Sequence, residues 1–308
     1  MMPVAVLAVV LPYNTLVVAG GVAAVGCAAG VVGTLGVLRR RALVGDAAAH
    51  ATLVGVAAAL LVTGQRSLTV LLAGGLLSAI AALGLLVLIR RFTRTRDDAA
   101  TAVVLSVSFG LGIVLISGMV ARGVPGSAGL ERFLLGHTAA LTIGDATLLG
   151  LVSTFAVVAV WLGLKEATMV AFDPAFAAAA GWPATAIDLT LVALVAVMVV
   201  VGLPAAGAVL VTALVVIPPV AARQWTDRIV PMLIIAGGIG LVCGLSGVVI
   251  SSLATRLPTG PVVVLVAAAC FVVSLVVAPR RGLLARWWER RVVLPESPPL
   301  PEPPEFRQ

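Results

Sequence analysis

The chain has 308 residues, 61% of them hydrophobic and only 11% charged, with a mean hydropathy of +1.19. Soluble globular chains carry about 25% charged residues, so this one has too few to cover a water-facing surface, which argues against a soluble enzyme with a polar cleft. The net charge of +7 comes from nineteen Arg and one Lys, Lys165, against thirteen acids, in short runs between apolar segments. That pattern suits the cytoplasmic side of a membrane protein and argues against a nucleic-acid partner.

A bilayer core of about 30 Å needs roughly 20 apolar residues per helix. The first predicted span covers residues 14–38 and stops at Arg39-Arg40-Arg41. The next four cover 44–63, 68–89, 100–120 and 146–164, with the charged stretch 90–98 after the third and a glycine-bearing stretch, 122–145, before the last. A more polar interval, 165–183, follows. Residues 185–222 form one apolar run of 38, broken at Gly202-Leu203-Pro204. It reads as a hairpin of two short helices, each about 25–28 Å long at 1.5 Å per residue. Irregular backbone at that depth must be buried in protein or line a wet cavity, so the hairpin is expected at the centre of the subunit. Pro218-Pro219 is expected to bend its second half. The last spans cover 229–253 and 261–278, for nine in all, give or take one.

The fold class is thus an all-α integral membrane protein with about eight or nine transmembrane helices. Residues 1–279 form the transmembrane domain, and 280–308 form a basic, Pro-rich cytoplasmic tail expected to be disordered. Trp287 and Trp288 in that tail suit an interfacial anchor. The three cysteines, Cys27, Cys243 and Cys270, are far apart and read as small buried hydrophobes rather than a disulfide or zinc framework. The N-terminus has no basic region or small-residue cleavage site and does not read as a signal peptide. Alternating the spans puts sixteen basic residues on one side and four (Arg66, Arg122, Arg132, Arg256) on the other. The positive-inside rule then places the N-terminus outside and the C-terminus in the cytoplasm. The pairs Gly26/Gly30 and Gly240/Gly244 are spaced as helix-packing faces.

Ionisable residues inside the membrane cost at least ~2.5–3.5 kcal/mol each and need a reason. Asp46 and His50 lie four residues apart and share one helix face. A carboxylate and an imidazole one turn apart suit a borderline divalent cation. Alternatively, Asp46 caps its helix or pairs with Arg39–Arg41, and His50 bonds a carbonyl. Asp188 could pair with Lys165 or an arginine, or line a pore. Asp145 reads as an N-cap, Glu131–Arg132 as a solvated pair and His137 as a surface or packing residue. In the interval 165–183, Asp173 reads as an N-cap followed by Pro174 at the first helical position, and Gly181 as the C-terminal stop. The short helix between them presents Phe172 and Phe176, either as a docking knob for a soluble partner or as an interfacial helix. No phosphate-binding loop of the GxxxxGK[ST] type occurs in the chain.

Leu38-Arg39-Arg40-Arg41-Ala42-Leu43-Val44-Gly45-Asp46-Ala47-Ala48-Ala49-His50-Ala51 resembles the LRRxALxGDALSHA signature of the zinc/manganese/iron ABC transporter permeases. Three further blocks resemble that family in order. They are Lys165-Glu166 through Phe172-Asp173-Pro174, Phe176-Ala177 and Gly181; Gly207-Ala208-Val209-Leu210-Val211 through Ile217-Pro218; and Thr226-Asp227-Arg228 through Leu257-Pro258-Thr259-Gly260-Pro261. The likeness runs over residues 16–277.

It implies a permease of the type II ABC importer kind that imports zinc, manganese or iron and is itself no enzyme, with no permanently bound cofactor. It implies cytoplasmic ATPase subunits, an extracytoplasmic metal-binding protein, a permease homodimer and a bacterial plasma-membrane location. Asp46 and His50 would then lie on the metal path, and Glu166, Phe172, Asp173, Pro174, Phe176 and Gly181 would belong to the segment that couples to the ATPase. Two positions depart from the pattern: Ala175 replaces the usual Glu, and Ala49 the usual Ser. A stand-alone ion-coupled carrier, or a permease for a cofactor or chelate, are the alternatives.

Overall fold

The computed structural model describes residues 13–39, 41, 43–65, 67–127, 141–253 and 258–284. His137, Glu131, Arg132, Trp287, Trp288 and the Pro-rich end lie outside them. Every regular element among the described residues is a helix. In chain order these are α1 (Tyr13–Leu38), α2 (Leu43–Thr63), α3 (Leu68–Phe92), α4 (Asp97–Ala121), α5 (Ile143–Leu162), α6 (Leu164–Phe172), α7 (Pro174–Ala179), α8 (Ala184–Ala206), α9 (Ala208–Trp225), α10 (Ile229–Leu253) and α11 (Thr259–Val277). Nine are long and apolar enough to cross a membrane, all but the short α6 and α7.

Helix ends differ from the sequence expectation where acids cap them. α4 begins at Asp97, not at residue 100, because Asp97 and Asp98 complement the positive end of the helix dipole. α5 begins at Ile143, with Thr142 rather than Asp145 as its N-cap. The Asp145 amide donates to Thr142 Oγ1 at 3.2 Å and the Thr142 amide donates to Asp145 Oδ2 at 3.0 Å, a reciprocal capping box.

The hairpin break also moves. α8 runs through Gly202-Leu203-Pro204 and stops at Gly207, whose φ of +80° is a conformation that residues with a Cβ rarely adopt. Pro204 has no amide to donate to the carbonyl four residues back, and the helix ends within three residues of it. α8 therefore has 23 residues, about 34 Å, and crosses the core unaided; α9 has 18, about 27 Å. α9 continues through Pro218-Pro219 to Trp225. Met198, Leu203, Leu210 and Leu214 are buried in one cluster with Val22 and Val25 of α1, as expected for a central hairpin.

α1 is the hub, packed by α5, α8, α9 and α10, while α2, α3 and α4 form a second group joined to it through α8. The two GxxxG pairs meet each other. A Cβ at Gly26 would overlap the Gly240 carbonyl, one at Gly240 the Gly26 carbonyl, and one at Gly30 the Ala236 carbonyl. Backbone-to-backbone approach of this kind supplies the dispersion contact that substitutes for a hydrophobic drive in lipid. Gly26→Val should therefore lower the thermal midpoint of the detergent-solubilised protein, by a cost of at least ~1–3 kcal/mol. Gly36→Ala, whose added Cβ meets nothing within 4 Å, should leave the midpoint unchanged; equal midpoints for the two variants would contradict this packing.

Candidate functional site

Three ion-pair clusters gather at one end of the bundle, where α1, α3, α5, α9 and α11 finish and α2, α4, α8 and α10 start. Arg39 and Arg41, in the turn after α1, both donate to the Asp188 carboxylate on α8. Side-chain exposures of 12% for Arg39, 21% for Arg41 and 23% for Asp188 make this a mostly buried triad. Burial lowers the Arg39 guanidinium from its ordinary value, and Asp188 opposes that shift. Arg90 Nε lies 3.2 Å from Asp97 Oδ1, joining α3 to α4. Asp227, in the α9–α10 connection, accepts from Arg280 at 3.1 Å and Arg281 at 2.8 Å. Hydrogen bonding from Arg280, then the charges of both arginines, hold its carboxyl below the usual range. The start of the basic tail is thus tied to the helix bundle.

Asp188 therefore pairs with Arg39 and Arg41, not with Lys165. That pairing also removes Arg39 and Arg41 as partners of Asp46. On α2, Val44, Gly45, Ala47, Ala48 and Ala49 are buried, while Asp46, His50, Val54 and Ala58 form a half-open stripe at helical spacing. Asp46 and His50 retain 40% and 24% side-chain exposure, and His50 Nε2 lies 3.6 Å from Asp46 Oδ1. Phe109 of α4 packs edge-on against the imidazole, with ring centroids 5.0 Å apart at 76°. His50 Nδ1 is buried with no hydrogen-bond partner among the described residues. Among the described residues no group of three or more His, Cys, Asp and Glu is placed to hold a metal ion. The arrangement offers two ligands of mixed N/O character, open on one side, so a passing cation would complete its shell with water or other groups.

The caps of the 165–183 interval are as expected, but residues 164–172 form a helix of their own, so Phe172 ends α6 while Phe176 sits on α7. The Asp173 carboxylate accepts the Phe176 amide at 2.9 Å, and Pro174 occupies the first position of α7. Gly181, at φ +85°, and Trp182 close the helix. The Trp182 amide donates to Ala177 O at 3.0 Å and the Gly181 amide to Ala178 O at 3.1 Å, the paired bonds of a Schellman stop. Asp173, Pro174 and Gly181 thus shape the knob, and Phe172 and Phe176 present it, 65% and 61% exposed. Glu166 is half-buried in the first turn of α6, with Oε2 buried and unpartnered among the described residues. Beside Phe172 an open groove of about 870 Å³ separates α6 from the start of α10, lined by Leu164, Lys165, Met169, Arg228 and Pro231.

Residues 13–278, nearly the whole described bundle, match the model of the ABC 3 transport family. The chain belongs to that family. Membership places it among the membrane components of transporters rather than among enzymes, as a multi-pass membrane protein. It is 38% identical over 273 residues to the manganese transport system membrane protein MntC of Bacillus subtilis (strain 168), covering 89% of this chain and 63% of that one. The ABC 3 chain thus spans less than two thirds of that relative's length. It is also 38% identical over 268 residues to the zinc transport system membrane protein TroC of Treponema pallidum (strain Nichols), covering 87% and 90%. The fold is that of PsaBC from Streptococcus pneumoniae, solved in complex with Fab, with a TM-score of 0.78, 24% identity, and coverage of 91% of this chain and 96% of that one.

Two features carry no local sequence signal. Phe109 is one apolar residue among many in its span, and Asp188 meets arginines 147 and 149 residues away. Their different roles give a test. Asp188→Asn strands two guanidinium groups and should lower the thermal midpoint of the ABC 3 protein. The cost should approach, at this partial exposure, the ~3–5 kcal/mol of a broken buried pair. Asp46→Asn, which breaks no arginine pair, should leave the midpoint near that of the parent; equal losses would show that both acids are structural.

Proposed function

We propose that this chain is the membrane-spanning permease of an ABC importer for a divalent transition metal ion. The observation that carries the reading is the Asp46–His50 pair, a carboxylate and an imidazole left half-open on a membrane-spanning helix while Arg39 and Arg41 beside them are satisfied by Asp188. Asp46 lies in the first turn of α2 and His50 one turn further along, and a passing cation gives this open carboxylate and imidazole a use. The relatives named for manganese and zinc transport support a cation of that class. Nitrogen and carboxylate oxygen accept zinc, manganese and iron(II) alike.

The import machinery follows from the same reading. The basic end of the bundle faces the cytoplasm, which puts the N-terminus outside and the C-terminus inside. The α7 knob, with Phe172 and Phe176, docks a separate ATPase subunit, and Asp173, Pro174 and Gly181 act by shaping that knob. Glu166, in the first turn of α6, belongs to the same ATPase-coupling segment. Two permease chains pair around the path, and an extracytoplasmic metal-binding protein delivers the ion to the opposite end. Residues 280–308 form a cytoplasmic tail anchored at Arg280 and Arg281.

Radioisotope uptake by cells carrying the complete transporter tests this. Asp46→Asn and His50→Ala should each reduce manganese or zinc uptake at least about tenfold, the scale expected for losing one ligand-supporting group, while the ATPase still co-purifies. Phe176→Asp should instead reduce ATPase co-purification, because it buries an unpaired charge in the docking face. Normal uptake in both ligand variants would refute the cation path. Uptake by the permease without any ATPase would point to an ion-coupled carrier.

A further inference from the structure

His50 is held in an unusual way for a residue on a cation path. A metal-binding histidine ordinarily donates its second ring nitrogen to a carboxylate, a backbone carbonyl or water, and that bond fixes the ring. Here Nδ1 is buried, and no carboxylate or carbonyl among the described residues accepts from it. What touches the ring instead is the Phe109 ring, T-shaped to it with centroids 5.0 Å apart at 76°. The other nitrogen, Nε2, faces Asp46 Oδ1 at 3.6 Å on the open side of α2.

The helix packing puts Phe109 there. α2 and α4 both start at the basic end of the bundle, so they run parallel. One turn beyond Phe109, Gly112 lets α4 close onto α2: a Cβ at Gly112 would come within 2.8–3.1 Å of the Leu53 side chain. Leu53 lies three residues after His50, as Gly112 lies three after Phe109. The Gly112–Leu53 approach therefore sets the register that seats Phe109 on His50.

We propose that Phe109 is the positioning residue of the cation path, orienting His50 by ring packing in place of a hydrogen bond and leaving Nε2 as the nitrogen open to the cation. The inference rests on Asp46 and His50 being the path. It also explains how two ligands can be placed yet hold weakly. A histidine without a hydrogen-bonded partner is the weaker ligand, and losing such a partner typically costs 10–100-fold in metal affinity. A transit site gains from that weakness, because the ion must leave.

The test uses the complete transporter with Phe109→Leu, Phe109→Tyr and His50→Ala, each first shown to retain its ATPase. Manganese and zinc binding to the purified complex is measured beside the KM and maximal rate of uptake. Phe109→Leu keeps apolar bulk and removes the ring edge. It should weaken cation binding about tenfold or more, the scale set by loss of ligand support, and raise KM in parallel. Phe109→Tyr keeps the ring and should stay within about threefold of the parent. Phe109→Leu binding and importing like the parent, with His50→Ala inactive, would overturn the role of Phe109 and leave the path standing. His50→Ala behaving like the parent would overturn both.

Discussion

Hydrocarbon offers no partner to a polar group, and the rest of this structure follows from that constraint. The backbone meets it by forming helices throughout the described membrane segments, and by reversing direction between α8 and α9 through one glycine. Side chains meet it by pairing. Arg39 and Arg41 share Asp188, Arg90 takes Asp97, and Asp227 takes Arg280 and Arg281, all at one end of the bundle. Where apolar surfaces gain nothing by leaving lipid, small residues provide cohesion instead, as where Gly26 and Gly240 bring two backbones into contact. Asp46 and His50, by contrast, are half-open and have no arginine partner among the described residues.

The elements near those two residues form a continuous chain of contacts. The α7 knob ends at Gly181, and α8 starts three residues later with Asp188 in its second turn. Asp188 grips Arg39 and Arg41, and Asp46 lies five residues past Arg41 on α2. A displacement of α7 therefore meets an ion-paired joint before it reaches the proposed cation path. In the proposed importer that joint is where docking of an ATPase would be felt first.

Much of this was legible in the sequence because lipid imposes long apolar runs, and charges end them sharply. All nine spans were visible, α10 to the residue. Errors arose where local chemistry overrides the apolar count. Asp97 and Asp145 belong inside their helices because acids stabilise a first turn, and the helix break falls at Gly207, three residues past Pro204, because a glycine can take the positive φ that the turn needs. The Asp46–His50 pair was visible from its spacing, as was the Asp173-Pro174 cap. Contacts between distant segments were not: nothing local joins Arg39 to Asp188, Asp227 to Arg280, or His50 to Phe109.

X-ray absorption at the manganese or zinc edge, on the purified transporter holding the cation, tests the central assignment most directly. An inner shell of nitrogen and oxygen with an imidazole contribution is expected, the imidazole scattering being lost in His50→Ala. A sulfur shell, or a spectrum identical in the parent and His50→Ala, would contradict the placement of the cation at Asp46 and His50.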